Sequence, residues 1–264
     1  MATPEVTPLP ALDFDLRSDS VRELNSRLHA VQSVGRVGGV GSVGGVGSVG
    51  GVGSVGQVGG VGGVGRVRIA NPEGRHAIAV GLDAAYDVEI DGHVGYYCAG
   101  MNQHATVRVH GNCGVGVAEN MMSGSVIVEG SASQAAGATA RGGLLVIHGD
   151  ASARCAISLK GAVVVVRGSI GHMGAFMAQK GCLVVCGDAG EALGDSLYEA
   201  RLYVRGAVAG LGADCVRKEM RPEHHEQLLG LLAQAEIDVD PAEFSRYGSA
   251  RQLYNFTVDN VGVY

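Results

Sequence analysis

The chain has 264 residues, a formal charge of −6, 46% hydrophobic and 5% aromatic residues, 44 glycines and no tryptophan. That length can bury one sizeable core, built of small branched side chains rather than aromatics. The acidic balance, with no basic patch, argues against a nucleic-acid or anionic-membrane surface.

Residues 1–17 read as an extended, Pro-rich and acidic lead-in without the charged-then-apolar pattern of a targeting peptide, so a cytoplasmic protein is expected. Ser20-Val21-Arg22-Glu23 has the form of a capping box, with Ser20 as N-cap. Val21, Leu24, Leu28 and Val31 then lie on one face of a short amphipathic helix. Such a helix must dock, either over an open end of the domain that follows or on a partner.

Residues 34–66 are eleven Val-Gly-x triplets containing 16 glycines. Glycine this dense has much chain entropy to lose and little side chain to bury. The tract lacks the proline of collagen and the Leu and Ile of a membrane span. It reads as an elastin-like loop, tolerated because closure entropy grows only with the logarithm of length. Over 67–85 the strand-like pieces are Ile69 and Ala77-Ile78-Ala79-Val80-Gly81, with a turn at Asn71-Pro72-Glu73-Gly74.

From Tyr86 to Gly212 the chain is a strict repeat. Gly92, Gly111, Gly130, Gly149, Gly168, Gly187 and Gly206 recur every 19 residues. Two residues before each stand Ile90, Val109, Val128, Ile147, Val166, Val185 and Val204, and four before stand Val88, Val107, Val126, Leu145, Val164, Leu183 and Leu202. Thirteen after the first six glycines comes a small residue, from Ala105 to Ala200. Alternation over five positions is a strand with one face buried, and each glycine supplies positive φ or room for close chain approach. The unit is too short for a crossover helix. The fold predicted is all-β: a single-stranded parallel β-helix, or β-solenoid, of about seven coils. At roughly 4.8 Å per coil it forms a rod on the order of 30 Å long.

Two outward columns flank the buried ones. One residue before each glycine, Asp91, His110, Glu129, His148, Arg167, Cys186 and Arg205 make a mostly alternating, solvated ladder. Three residues before, Glu89 and Arg108 are followed by Ile127, Val146, Val165, Val184 and Tyr203. An apolar stripe of that length should be covered by the C-terminal tail or by a partner.

Beyond Gly212 the pattern turns helical. Pro222 suits a first helical position, and Leu228, Leu229, Leu232 and Ala235 give an apolar face. Asp240 caps a second helix at Pro241-Ala242-Glu243, and Leu253–Val258 looks extended. The expected organisation is an N-terminal segment at 1–33, the Val-Gly-x loop at 34–66, the solenoid at 67–214 and a helical tail at 215–264.

No catalytic, cofactor or metal residues are assigned. His110, Glu129 and His148 share a column, but alternating charge on a wet ladder explains them better than a metal or acid–base cluster. His224-His225 reads as a solvated pair on a polar helix face. The six cysteines include no CxxC pair and read as reduced, partly buried thiols. Gly111-Asn112-Cys113-Gly114-Val115-Gly116 lacks the lysine and the strand–loop–helix setting of a phosphate loop.

The units Gly111–Gly114 through Ser123-Gly124, and Gly168–Gly171 through Lys180-Gly181, resemble the repeats of the GXGXG domain. That domain closes the large polypeptide of glutamate synthase and recurs as a separate component of formylmethanofuran dehydrogenase and of the formyltransferase/hydrolase complex. Among the flanks, Ser20–Asn25, Asn71–His76, Gly95–Asn102 and Arg246-Tyr247-Gly248 are most similar to the separate GXGXG subunit of N-methylglutamate synthase. This resemblance implies a scaffold that joins a class II glutamine amidotransferase-like subunit to one that bears FMN and an iron–sulfur centre. No catalytic residue of the family falls on this domain. A formyl-transfer complex, or a freestanding solenoid with its own ligand, are the alternatives.

Overall fold

The computed structural model describes residues 11–34 and 65–252, with the side chains of 31–34 excluded. Most of the Val-Gly-x tract and the segment Leu253–Val258 lie outside the described residues. Strand β1 (Leu12–Asp15) and helix α1 (Val21–Val34) precede β2 (Gly65–Ala70), so Gly65-Arg66, the last residues of the Val-Gly-x periodicity, already belong to a strand. Seven strands follow: β3 (Tyr86–Asp91), β4 (Thr106–Val109), β5 (Ser125–Val128), β6 (Leu144–Ile147), β7 (Lys160–Val166), β8 (Lys180–Val185) and β9 (Arg201–Val204). The chain ends in β10 (Cys215–Lys218), α2 (Pro222–Gln234), a 3-10 turn at Pro241–Glu243 and β11 (Ser245–Ser249). The sheet order is β1 through β9, then β11 and β10. Pairing is parallel up to β9, while β11 runs antiparallel to both β9 and β10. Val88, Val107, Val126, Leu145, Val164, Leu183 and Leu202 stand in register. This is a parallel β-solenoid, and its inward columns form one continuous core.

Each coil has three sides. The first is the strand. The second contributes one bridging residue per coil, in the column Val94, Cys113, Ala132, Ala151, Ile170, Ala189 and Val208. The third is a segment in which every second residue has positive φ. In successive coils these are Tyr97-Ala99-Met101, Gly116-Ala118-Asn120, Ala135-Gly137-Thr139 and Arg154-Ala156-Ser158. Its N–H groups donate alternately to the coil above and the coil below: Gly116 to Gln134 (3.0 Å), Ala118 to Cys98 (2.9 Å), Asn120 to Ala138 (2.9 Å) and Met122 to Asn102 (2.8 Å). A positive φ at a non-glycine residue costs on the order of 1–3 kcal/mol. The stacked hydrogen bonds hold it. Ala77–Gly81, which alternates like a strand in sequence, adopts this conformation instead, with φ of 56° at Ala77, 57° at Ala79 and 69° at Gly81.

A side-chain ladder runs beside the repeat glycines. His93 Nδ1 accepts from the Asn112 N–H (2.9 Å), Asn112 Oδ1 from Ser131 (2.8 Å) and Ser131 Oγ from Asp150 (3.1 Å). Asp150 Oδ1 accepts from Ser169 (2.8 Å), Ser169 Oγ from Asp188 (2.9 Å) and Asp188 Oδ1 from Ala207 (2.7 Å). Each acceptor satisfies a donor that the turn leaves without a backbone partner.

Helix α1 closes the N-terminal end. Ser20 Oγ accepts from the Glu23 N–H at 3.1 Å, and Leu24 and Leu28 are fully buried in the solenoid core. Asn25 Nδ2 donates to the Ala77 carbonyl at 2.8 Å. One coil on, the equivalent carbonyl of Tyr96 accepts from the Ala77 N–H at 2.7 Å. Asn25 therefore stands where the amide of a preceding coil would be. His29 makes a similar contact to the Val80 carbonyl at 2.9 Å.

The repeat glycines are needed for close approach. A Cβ on Gly149 would lie 2.7 Å from the Gly130 carbonyl oxygen and 2.5 Å from Ser131 Oγ, whereas one on Gly230 in α2 would meet nothing within 4 Å. Gly149→Ala should destabilise by roughly 1–3 kcal/mol through overpacking. Gly230→Ala should stabilise by up to about 1 kcal/mol through helix propensity. Urea unfolding of both variants checks the contrast, and equal effects would refute the close-approach role.

Candidate subunit interface

The outward face of the sheet is divided into two parts. Its three columns are mostly polar over β2–β5: Arg66, Asp87, Thr106 and Ser125 in the first, Arg68, Glu89 and Arg108 before Ile127 in the second, and Asp91, His110 and Glu129 after Ala70 in the third. Over β6–β8 they become Leu144, Val163 and Cys182, then Val146, Val165 and Val184, then His148, Arg167 and Cys186.

The apolar part lies beneath α2 and the segment after it. Val146, Val165, Val184 and Tyr203 are buried, and Ile127 is half-buried at the edge. They pack with Leu228, Leu231, Leu232, Ala235, Ile237 and Phe244. The buried helical face uses Leu231, while Leu229 points outward with 57% exposure. Spacing alone could not separate these neighbours, because both lie within reach of a broad apolar face. Polar contacts lock the cover: Gln227 Oε1 accepts from the Tyr203 hydroxyl (2.7 Å) and from Arg201 (3.0 Å), and Arg205 pairs with Glu243 (2.6 Å). Pro241–Glu243 forms a single 3-10 turn rather than a longer helix, with Asp240 accepting from the Ala242 N–H at 2.9 Å.

His224 is buried, not solvated as its polar neighbours suggest. Its Nδ1 accepts from the Arg221 N–H at 3.1 Å. Burial, reinforced by Arg246, lowers its pKa below the usual 6.5. All six cysteines are buried free thiols, and burial pushes Cys98 and Cys155 up to about 12. They are inert fillers of the core.

The polar half is open. Its ion pairs join adjacent coils, diagonally between columns for Arg68 with Asp91 (2.7 Å), Arg108 with Glu129 and His110 with Glu89, and within one column for Arg108 with Glu89 at 4.0 Å. His148 approaches Glu129 at 3.9 Å. These groups are substantially exposed, so each pair contributes little to stability. Leu12, Arg66, Arg68, Asp87, Glu89 and His110 line a shallow depression of about 320 Å³ along the first strands. Among the described residues no three His, Cys, Asp or Glu side chains are arranged to hold a metal ion, and no helix is long and apolar enough to cross a membrane. Hydropathy and spacing miss the column of acceptors after the repeat glycines, although the run His93, Asn112, Ser131, Asp150, Ser169 and Asp188 carries the signal.

Two substitutions test the cover. Val165→Asp places an unpaired carboxylate under α2 and should cost roughly 3–5 kcal/mol, or release the helix to proteolysis. Unchanged stability and unchanged protease resistance would overturn the assigned packing. His224→Asn keeps an acceptor for Arg221 but removes the titration. Because the folded-state pKa is depressed, the stability contributed by neutral His224 is present above 6.5 and lost as pH falls through the lowered value. The stability gap between wild type and His224→Asn should therefore narrow below about pH 6.5. Denaturant titrations between about pH 8 and 5 read it, and a constant gap would contradict the assignment.

No protein-family model matches the chain, and no solved structure matches it significantly. The chain is similar to Protein GlxC of Rhizobium meliloti (strain 1021), with 65% identity over 197 residues, 74% of this chain and 86% of that relative. Identity at that level over most of the relative establishes that the chain belongs to the family of Protein GlxC.

Proposed function

We propose that this chain is the non-catalytic scaffold subunit of a glutamate-synthase-like multisubunit enzyme, specifically one of the N-methylglutamate synthase type. Such an enzyme converts methylamine and glutamate to N-methylglutamate and ammonia. The chain would hold a class II glutamine amidotransferase-like subunit against another that bears FMN and an iron–sulfur centre. The observation that carries the reading is the divided sheet face. One half is sealed by α2, and the other presents a rigid strip of paired charges on an uninterrupted backbone. The titratable groups of the repeat pair laterally from coil to coil and do not converge on a cleft, an arrangement suited to docking. The resemblance of the repeat units to the GXGXG domain supports the same placement, and membership of the GlxC family is consistent with it.

Affinity purification of the full chain from its own cells, with mass spectrometry and a visible spectrum, tests the reading. Co-elution of an amidotransferase-like subunit with flavin and iron–sulfur absorbance is the expected outcome. Recovery with amidohydrolase-like or molybdopterin-bearing proteins would place the chain in a formyl-transfer complex instead. A colourless, partner-free protein would overturn the scaffold role.

A further inference from the structure

The third side of the solenoid differs from the other two. The strand side is charged or covered by α2, and the bridging side carries the polar acceptor ladder. On the third side every second main-chain N–H of the alternating segment is directed along the stack and the others close local turns, as from Glu119 to Gly116 (3.2 Å) and Ala138 to Ala135 (3.1 Å), and its outward side chains are mostly small or apolar from Tyr97 to Met177. Met101 and Met177 are each 43% exposed, and Phe176 and Ile157 are half-buried. Depletion of charge together with Met and aromatic residues is the composition of an interface core.

We propose that this face is the contact between two copies of the chain, packed antiparallel about a two-fold axis that runs along the coil Gln134–Thr139. The columns are self-complementary under that operation. The axial coil offers Ala135 and Thr139, which are small enough for two such faces to approach closely, with the exposed Gln134 beside them. Two coils away on either side, Met101 meets the second copy's Met177, and Phe176 falls opposite Gly100, whose missing side chain leaves a recess.

The intervening coils carry the two charges that settle the occupant. Glu119 and Arg154 make no ion pair with any described residue. The Glu119 side chain folds back over Gly116, with Oε2 only 2.7 Å from where a Cβ on that glycine would lie. Gly116 is the position that the two-fold places opposite the second copy's Arg154. Each dimer therefore forms two symmetric Glu119–Arg154 pairs, as an isologous interface requires. The five coils concerned, two on either side of the axial one, stack at about 4.8 Å and give a contact roughly 24 Å long.

The test is sedimentation or light scattering of the full chain alone at about 50 µM, a concentration that populates a dimer of micromolar affinity. A dimer is expected. Glu119→Arg or Arg154→Glu alone should weaken it by about tenfold or more, and the double reversal should restore it. Gln134→Cys, at the axis, should give an intermolecular disulfide on mild oxidation, because the six native thiols are buried. Circular dichroism and thermal midpoint confirm that each variant is folded. A monomer at that concentration, or a dimer indifferent to both reversals and not cross-linked through position 134, overturns the proposal. Neither outcome depends on which other proteins the chain joins.

Discussion

Close approach of one backbone coil to the next is the constraint on which the rest of this structure depends. Coil separation is fixed on three sides at once: by strand pairing, by the column of isolated bridges, and by the alternating-φ segment whose donors point up and down the stack. A side chain at a repeat glycine would push into the backbone of its neighbour; a Cβ on Gly111, for example, would lie 2.6 Å from the Gly92 carbonyl carbon. Glycine there is a matter of space, not of a left-handed conformation, since among Gly92 to Gly206 only Gly92 has positive φ in the repeat column. The interval of 19 residues is invariant for the same reason. One inserted residue would shift all three ladders and turn inward columns outward.

Stacking this regular creates two problems, ends and faces. The ends are solved by imitation of a coil. At the N-terminal end, β1 extends the sheet while Asn25 and His29 of α1 meet carbonyls that have no preceding coil. At the C-terminal end, β11 reverses direction to cover β9 and is itself covered by β10. The faces are solved column by column. In the acceptor ladder Ser169 separates Asp150 from Asp188, and on the charged half of the sheet Arg108 and His110 stand between Glu89 and Glu129, whereas Lys160 and Lys180 stack directly at the start of β7 and β8. Where the outward columns turn apolar, α2 takes up the surface.

Much of this is legible in the sequence, and the exceptions have a common cause. The 19-residue interval and the aliphatic columns define the strands and their register, since those depend only on periodicity and burial. The stripe from Ile127 to Tyr203 is visible because an apolar column on an outward face has no other account. What stays hidden is backbone conformation. Ala77-Ile78-Ala79-Val80-Gly81 alternates in a way that both a strand and an alternating-φ segment satisfy, and no pattern of side-chain polarity separates them. His224 looks solvated by its neighbours, yet it turns inward because the Arg221 N–H at the start of α2 needs an acceptor. The acceptor ladder escapes notice because His, Asn, Ser and Asp share no property that a hydropathy reading detects. They share only a lone pair one residue after a glycine.

Such a fold sets the chemistry of its surface one column at a time. A catalytic site needs side chains from separate elements to converge, whereas a solenoid sends equivalent positions out in parallel, about 4.8 Å apart, so its groups meet neighbours of the same column rather than distant partners. Parallel projection builds flat surfaces whose character can be set one column at a time. Here one face is half charged and half sealed, one is a hydrogen-bonded ladder, and one is poor in charge over its central coils, where Glu119 and Arg154 stand. Three faces of different chemistry on a single rigid rod allow contacts to be made independently, since altering the outward residues of one leaves the backbone ladders of the others intact. The same rigidity holds the three faces at fixed separations.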